Sequence, residues 1–121
     1  MILVDTSVWG DHLRVTDAAL RGLLEAGKVT THAFVIGELA CGTLLRRDDV
    51  LALLQDLPQA SVAAEKEVLH FIERHRLMGT GIGYIDAHLL ASTFLTTDLR
   101  LWSRDRRLTD LAERLNVAFV N

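Results

Sequence analysis

Short apolar runs that stop abruptly, each followed by a segment of helical spacing, restrict this chain to one fold class. Ile2-Leu3-Val4 is apolar, partly β-branched and cut off by Asp5, the pattern of a strand buried on both faces. Val29 to Thr31, Leu99 to Trp102 and Val117 to Val120 repeat it. Between these runs the apolar positions recur at helical intervals. Leu20, Leu23 and Leu24 follow a cap at Thr16-Asp17 and precede a stop at Gly27. Ala33 to Leu45 turns Val35, Ile36, Leu39 and Ala40 inward, and Asp48 to Leu57 is closed by Pro58. Ala63 to Leu77 is helical up to Gly79-Thr80-Gly81, and Ile85 to Phe94 and Asp105 to Leu115 complete the set. Strands that alternate with helices pair in parallel under helical cover, so the fold class is α/β.

At 121 residues the chain has room for a single domain, spanning 1–121. Half of its residues are hydrophobic and 24% charged, which supplies a core and excludes a disordered chain. The longest stretch free of charge, Ala87 to Thr97, falls short of the roughly 20 residues of a membrane helix. Residues 1–5 lack the basic start of a signal peptide and reach an acid at once. Cys41 has no second cysteine to pair with and reads as a small buried residue. The expectation is a cytoplasmic protein with no membrane segment.

Net charge is −3, so there is no overall basic footprint for nucleic acid. Arg100, Arg104, Arg106, Arg107 and Arg114 nevertheless crowd the last quarter beside Asp98, Asp105 and Asp110. Taken alone, that mixture is a solvated helix face. Several familiar motifs fail in context. Gly22 to Lys28 nearly spells a phosphate loop, but Val29 replaces the hydroxyl residue and a helix there runs into a strand, the reverse of the required order. Gly79, Gly81 and Gly83 follow a helix and lack dinucleotide spacing. The five histidines show no paired metal-binding spacing, and Ser7 has no nucleophile elbow around it. Trp9, Trp102 and Phe94 read as core.

Four carboxylates stand in unusual places. Asp5 ends an apolar strand and is followed by two hydroxyls, Thr6 and Ser7, at the strand end where open parallel sheets bind ligands. Glu38 interrupts an otherwise apolar helix, where a lone acid needs a partner or suffers desolvation. Asp86 opens one helix, and Asp105 follows a strand by three residues; either could simply cap its helix. Together they form an oxygen-donor set suited to a hard divalent cation such as Mg²⁺ or Mn²⁺.

Asp5-Thr6-Ser7 after the first strand, Glu38-Leu39 before Gly42, Asp86-Ala87-His88-Leu89-Leu90-Ala91, and Ser103-Arg104-Asp105-Arg106-Arg107-Leu108 follow one another in that order. The order resembles the PIN-domain ribonucleases, and the size most closely the VapC-type toxins of bacterial toxin–antitoxin pairs. A departure is Trp102, where the family more often has a small β-branched residue. The resemblance implies a three-layer α/β/α sandwich with a mostly parallel five-stranded sheet. It implies a metal-dependent endoribonuclease in which Asp5, Glu38, Asp86 and Asp105 hold Mg²⁺ or Mn²⁺, with Ser7 and Ser103 in support. Arg104, Arg106 and Arg107 then become candidate contacts to RNA phosphates. It also implies a cognate antitoxin that brings Arg or Lys to the acids, and a homodimer, for which Leu44, Leu45, Leu51 and Leu54 would form an exposed apolar patch.

Two carboxylates 4 Å apart repel by about 4 kcal/mol at an effective dielectric near 20, so an empty site of this kind should hold raised carboxylate pKa values or stay loosely packed. Asp98 and Asp105 flank the last long strand from opposite ends, about 23 Å apart in extended chain, so only Asp105 can share an edge with Asp5. Asp98 reads as a turn acid that accepts backbone hydrogen bonds. Rival readings fit less well. A haloacid-dehalogenase-type phosphohydrolase wants a second Asp where Ser7 stands, and a receiver domain wants a late Lys that is missing. A PIN-like binding module without catalysis would not need all four acids.

Overall fold

The computed structural model describes residues 1–120. Three strands, β1 (Ile2–Val4), β2 (Val29–Thr30) and β3 (Arg100–Trp102), form an all-parallel sheet in the order β2-β1-β3. Ile2 aligns with Val29 and Arg100, and Val4 with Trp102. In-register parallel strands gather their carboxyl ends on one edge, where Asp5, Thr31 and Ser103 leave the sheet together. Ile2 and Val4 face one side and Leu3 the other, and all three are buried, so the central strand is covered on both faces.

The expected five-stranded sheet is a correction: among the described residues it has three strands, with a single bridge at each outer edge. Thr31 bridges Gln59, and Leu101 bridges Ala118. At the first edge the Thr31 N–H donates to the Pro58 carbonyl at 2.9 Å and Ala60 N–H returns to Thr31 at 2.7 Å. Pro58 has no N–H with which to extend the ladder. At the second, Leu101 N–H reaches Val117 at 2.8 Å and Phe119 N–H reaches Leu101 at 2.9 Å. The Val117–Val120 segment therefore touches the sheet at one residue instead of forming a strand.

Among the described residues seven helices accompany the sheet: α1 (Thr6–Arg14), α2 (Ala18–Glu25), α3 (Ala33–Ala40), α4 (Arg47–Asp56), α5 (Glu65–His75), α6 (Tyr84–Phe94) and α7 (Arg106–Arg114). The apolar spacing of the sequence does not flag α1, which starts directly from the strand end at Asp5. Asp17 caps α2 by accepting the Leu20 N–H at 3.0 Å, and Gly27, at φ +69°, ends its turn. α3 stops at Ala40 rather than Leu45. The Arg47 guanidinium donates to the Ala40 carbonyl at 2.7 Å and to Gly42 at 3.4 Å, and Arg46 turns left-handed at φ 53° to open α4. α5 ends at Arg76, also left-handed, with Leu77 N–H donating to Ile72 at 3.0 Å, the hydrogen bond of a Schellman stop.

The core centres on α6, which is buried continuously from Ala87 to Thr93, and on Trp9, Leu20, Leu54, Leu89, Leu90 and Leu108. Trp9 and Trp102 are core as expected, whereas Phe94 is 42% exposed and meets Phe71 and His75 edge-on. Cys41 is exposed because α3 has ended before it. Leu54 is fully buried, which removes it from the apolar patch expected at the surface, while Leu45 is 85% exposed. Among the described residues no helix is long and apolar enough to cross a membrane.

One polar group holds the middle of this core. His32 is completely buried and caps α3, its Nδ1 accepting the Phe34 N–H at 3.0 Å. Nε2 must then carry the proton, and it meets Ser92 Oγ at 3.2 Å, whose own hydroxyl donates to the Ser61 carbonyl at 2.7 Å. Burial, with His88 nearby, pushes His32 from 6.5 down to about 4. The folded protein holds it neutral while the unfolded chain protonates it below pH 6.5, so stability present above that pH is lost as pH falls toward 4. Denaturant titrations should show a loss on the order of 2 kcal/mol between pH 7 and pH 5. His32→Asn, which keeps an acceptor for the cap but does not titrate, should flatten that dependence.

Candidate active site

Asp5 is the best-fixed of the four acids. It is 5% exposed and caps α1, and its Oδ2 accepts the Ser7 N–H at 3.4 Å, the Ser7 hydroxyl at 2.7 Å and the Ser103 hydroxyl at 2.8 Å. Both hydroxyls also accept. Ser7 Oγ takes the Arg104 N–H at 2.9 Å, and Ser103 Oγ takes the Asp105 N–H at 3.0 Å. Two serines thus relay backbone N–H groups of the β3–α7 loop onto one carboxylate oxygen at the end of β1. That loop cannot shift without breaking the hydrogen bonds of Asp5.

The other three acids are each held by one oxygen. Glu38, on the last turn of α3, accepts the Thr6 hydroxyl on Oε1 at 2.8 Å; it is exposed, so the desolvation expected of it does not arise. Asp86, in the first turn of α6, accepts the Gly83 N–H on Oδ2 at 3.3 Å. Asp105 caps α7, with Oδ1 accepting the Leu108 N–H at 3.0 Å. The capping roles read for Asp86 and Asp105 are real and leave half of each carboxylate unused. Asp5 Oδ1, Glu38 Oε2, Asp86 Oδ1 and Asp105 Oδ2 receive no protein hydrogen bond among the described residues. No Lys, Arg or His there forms an ion pair with any of the four acids.

This charge is felt at Asp86, whose pKa is raised first by desolvation and then by Asp5, Asp105 and Glu38, against a lowering by the Gly83 N–H. The donor chemistry fits a hard divalent ion: carboxylate oxygens only, one spare on each acid, and no competing cation. Among the described residues no three Asp, Glu, His or Cys side chains stand together as a group that could hold a metal ion, so the fit is one of donor type and not of assembled geometry. The acids are joined by their field and by their common edge. Three of them sit at the N-termini of α1, α6 and α7, whose dipoles offset part of the repulsion and favour an anion in front of them.

The arginines behave differently from one another. The Arg104 guanidinium donates to Asp11 of α1 at 2.9 Å and to Asp17 at the cap of α2, and lies over the Trp102 ring at 5.6 Å. It is engaged at the surface by partners of its own chain and pins the loop that carries Ser103 and Asp105. Trp102, the departure from the family pattern, is the ring under that clamp. Arg107 packs on Gly81 and donates to its carbonyl at 3.4 Å, while Arg106 is exposed. Two basic residues in the first turn of α7 have the wrong sign for the helix dipole, a cost that stability does not explain. Asp98 lies at the opposite edge of the sheet, in a left-handed turn at φ 62°; its carbonyl, rather than its carboxylate, accepts the Met1 ammonium at 3.0 Å. A cleft of about 760 Å³ opens beside Thr6 and Glu38, walled by Leu13, Leu39, Leu44 and Val50, and runs to Arg104.

The PIN domain family model matches residues 2–114. The chain belongs to the PIN-domain family. As a PIN domain it is similar to a protein named Ribonuclease VapC32 in two strains of Mycobacterium tuberculosis, 48% identical over 120 residues to each, covering 99% of this chain and 97% of the relative. The residues that sequence reasoning missed in this PIN domain are partners of the acids: Thr6 as the anchor of Glu38, and Asp11 and Asp17 as the anchors of Arg104. An Asp ending a strand before Thr-Ser, with Val8, Trp9 and Leu13 following, is a capped helix start from which α1 could have been read.

Two outcomes follow from these contacts. Asp86→Asn removes a partly desolvated charge from a like-charged group, so it should raise the Tm of the metal-free protein in a thermal melt at pH 7. Arg104→Ala and the double change Asp11→Asn/Asp17→Asn should each lower Tm, and combining all three should add little, because they break one clamp.

Proposed function

We propose that this PIN domain is a metal-dependent endoribonuclease that hydrolyses RNA phosphodiester bonds and acts in the cytoplasm as the toxin of a type II toxin–antitoxin pair. The observation that carries the reading is the set of four carboxylates whose charges meet at Asp86, each, among the described residues, with an oxygen left free of protein hydrogen bonds and none with a cationic partner. The ribonuclease name of a relative that aligns along nearly the whole chain supports the same chemistry. The architecture that goes with it is a three-layer α/β/α sandwich around the short sheet.

Asp5, Glu38, Asp86 and Asp105 would hold Mg²⁺ or Mn²⁺, which when bound supplies charge to a phosphate oxygen and acidifies a water. Ser7 and Ser103 keep Asp5 Oδ1 oriented by occupying Oδ2. Asp5, Glu38 and Asp86 would serve mainly to position the ion and the attacking water, and Asp105 would take a second or water-bridged position. Arg106 and Arg107, at the mouth of α7, contact RNA phosphates and offset the acidic field; Arg104 serves by fixing the loop. The antitoxin lays an apolar segment in the cleft beside Glu38 and sets an Arg or Lys among the acids, competing with metal and RNA. Leu44, Leu45 and Leu51 contribute to a homodimer surface.

Incubating purified protein with single-stranded RNA, with and without Mg²⁺ or Mn²⁺, tests this directly. Cleavage should require the ion, and the ion should raise Tm by mass action. Asp86→Asn should abolish cleavage; unchanged cleavage in that variant overturns the assignment. Asp105→Asn should reduce cleavage substantially, whereas Asp98→Asn, at the other edge of the sheet, should leave it nearly intact.

A further inference from the structure

The acidic field at Asp86 has a counterpart of opposite sign at the far end of α7. Arg107 and Arg114 stand two turns apart on α7 and share one stripe of it, about 10 Å from end to end. Both side chains reach the segment around the end of α5 and the turn before α6. Arg107 lies so close to Gly81 that a Cβ there would meet its Cδ at 3.0 Å, and the Arg114 guanidinium donates to the His75 carbonyl at 2.6 Å. Gly81 precedes Gly83, whose N–H donates to Asp86, and Arg107 follows closely on Asp105. The stripe therefore begins beside two of the acids and leads away from them to the end of α5.

That end is itself basic. Arg74 and His75 occupy the last turn of α5, Arg76 its left-handed cap at φ 53°, and His70 the turn before. Charges of both helices meet at His75, whose pKa is lowered first by burial and then by Arg74, Arg114 and His70. Arg14, Arg21, Arg46 and Arg104 each pair with an acid. Arg74, Arg76, Arg107 and Arg114 are exposed and, among the described residues, form no ion pair, although Glu73, Asp110 and Glu113 are close in sequence. Helix dipoles favour a cation at the carboxyl end of α5 and of α7. They do not account for setting those two ends against each other, which costs repulsion, nor for Arg107 at the positive end of α7. A line of unpaired guanidinium groups that starts at a carboxylate site matches a polyanion with regularly spaced charges.

We propose that the stripe from Arg107 to Arg114, continued by Arg74 and Arg76, is a track for the RNA backbone beyond the cut, holding phosphates on one side of the scissile bond. The proposal rests on the ribonuclease reading for placing the scissile phosphate at the acids. Contacts of this kind position a strand and carry no sequence information of their own.

The test compares wild type with the double variant Arg74→Gln/Arg114→Gln on single-stranded RNAs of one sequence around the cut, about 4 and about 12 nucleotides long. Binding is followed by fluorescence anisotropy across a range of salt, in an Asp86→Asn background so that the RNA stays whole. The double variant should raise KM and Kd for the longer RNA about tenfold while leaving kcat and the short RNA unchanged. Its slope of log Kd against log salt should be smaller by about 1.4, the share of two cations on a single strand. Arg74→Lys/Arg114→Lys keeps both charges and should restore the longer RNA; failure to do so means that the residues act through packing, and overturns the track. If wild type cleaves and the Gln variant matches it on both lengths, the track is overturned while the ribonuclease reading stands. If wild type cleaves neither RNA with Mg²⁺ or Mn²⁺, the ribonuclease reading falls. The salt slopes then decide the track, a smaller slope in the Gln variant upholding it and equal slopes overturning it.

Discussion

A single carboxylate oxygen, Asp5 Oδ2, holds the two halves of this molecule in register. It accepts two hydroxyls and one backbone N–H, and the hydroxyls in turn take the N–H groups of Arg104 and Asp105. A buried carboxylate is tolerable only when it is hydrogen-bonded, and here the bonds come from both ends of the chain. The end of β1, the start of α1 and the β3–α7 loop are thereby fixed against one another. Arg104 reinforces the same joint from outside by spanning Asp11 and Asp17.

The joint leaves charge exposed in one direction. Each acid spends one oxygen on local structure and leaves the other without a protein hydrogen bond, and among the described residues no Lys, Arg or His pairs with it. Helix N-termini behind Asp5, Asp86 and Asp105 soften the repulsion without removing it, and Asp86 carries the remainder as a raised pKa. A carboxylate has two oxygens, so the hydrogen bond that each acid gives to the fold leaves its second oxygen uncommitted.

The histidines divide in a similar way. His32 is fully satisfied, bonded on both ring nitrogens, and serves the core. His88, packed against the same Phe34 ring, has a buried Nδ1 without a hydrogen-bond partner among the described residues and lies in the wall of a cavity. Their sequence contexts are alike in being apolar, and neither spacing nor composition separates the satisfied ring from the unsatisfied one.

Some features were legible because they depend on neighbouring residues alone. The run Ile2-Leu3-Val4 stopped by Asp5, the cap at Asp17, the stop at Gly27 and the alternation of strands with helices are local preferences, and together they determined a parallel α/β fold with its acids at one edge. The order of Asp5, Glu38, Asp86 and Asp105 likewise determined the family. Other features depend on partners distant in sequence. α3 stops at Ala40 because Arg47 folds back onto its carbonyls, the outer strands shrink to bridges because their neighbours are so short, and Arg104 is held at the surface by Asp11 and Asp17. Leu54 is buried and Cys41 exposed for the same reason: burial is decided by what packs opposite, and no local window contains that. The sequence chose the elements and the carboxylates; only the tertiary structure decided which oxygen of each acid is spent on the fold and which is left for chemistry.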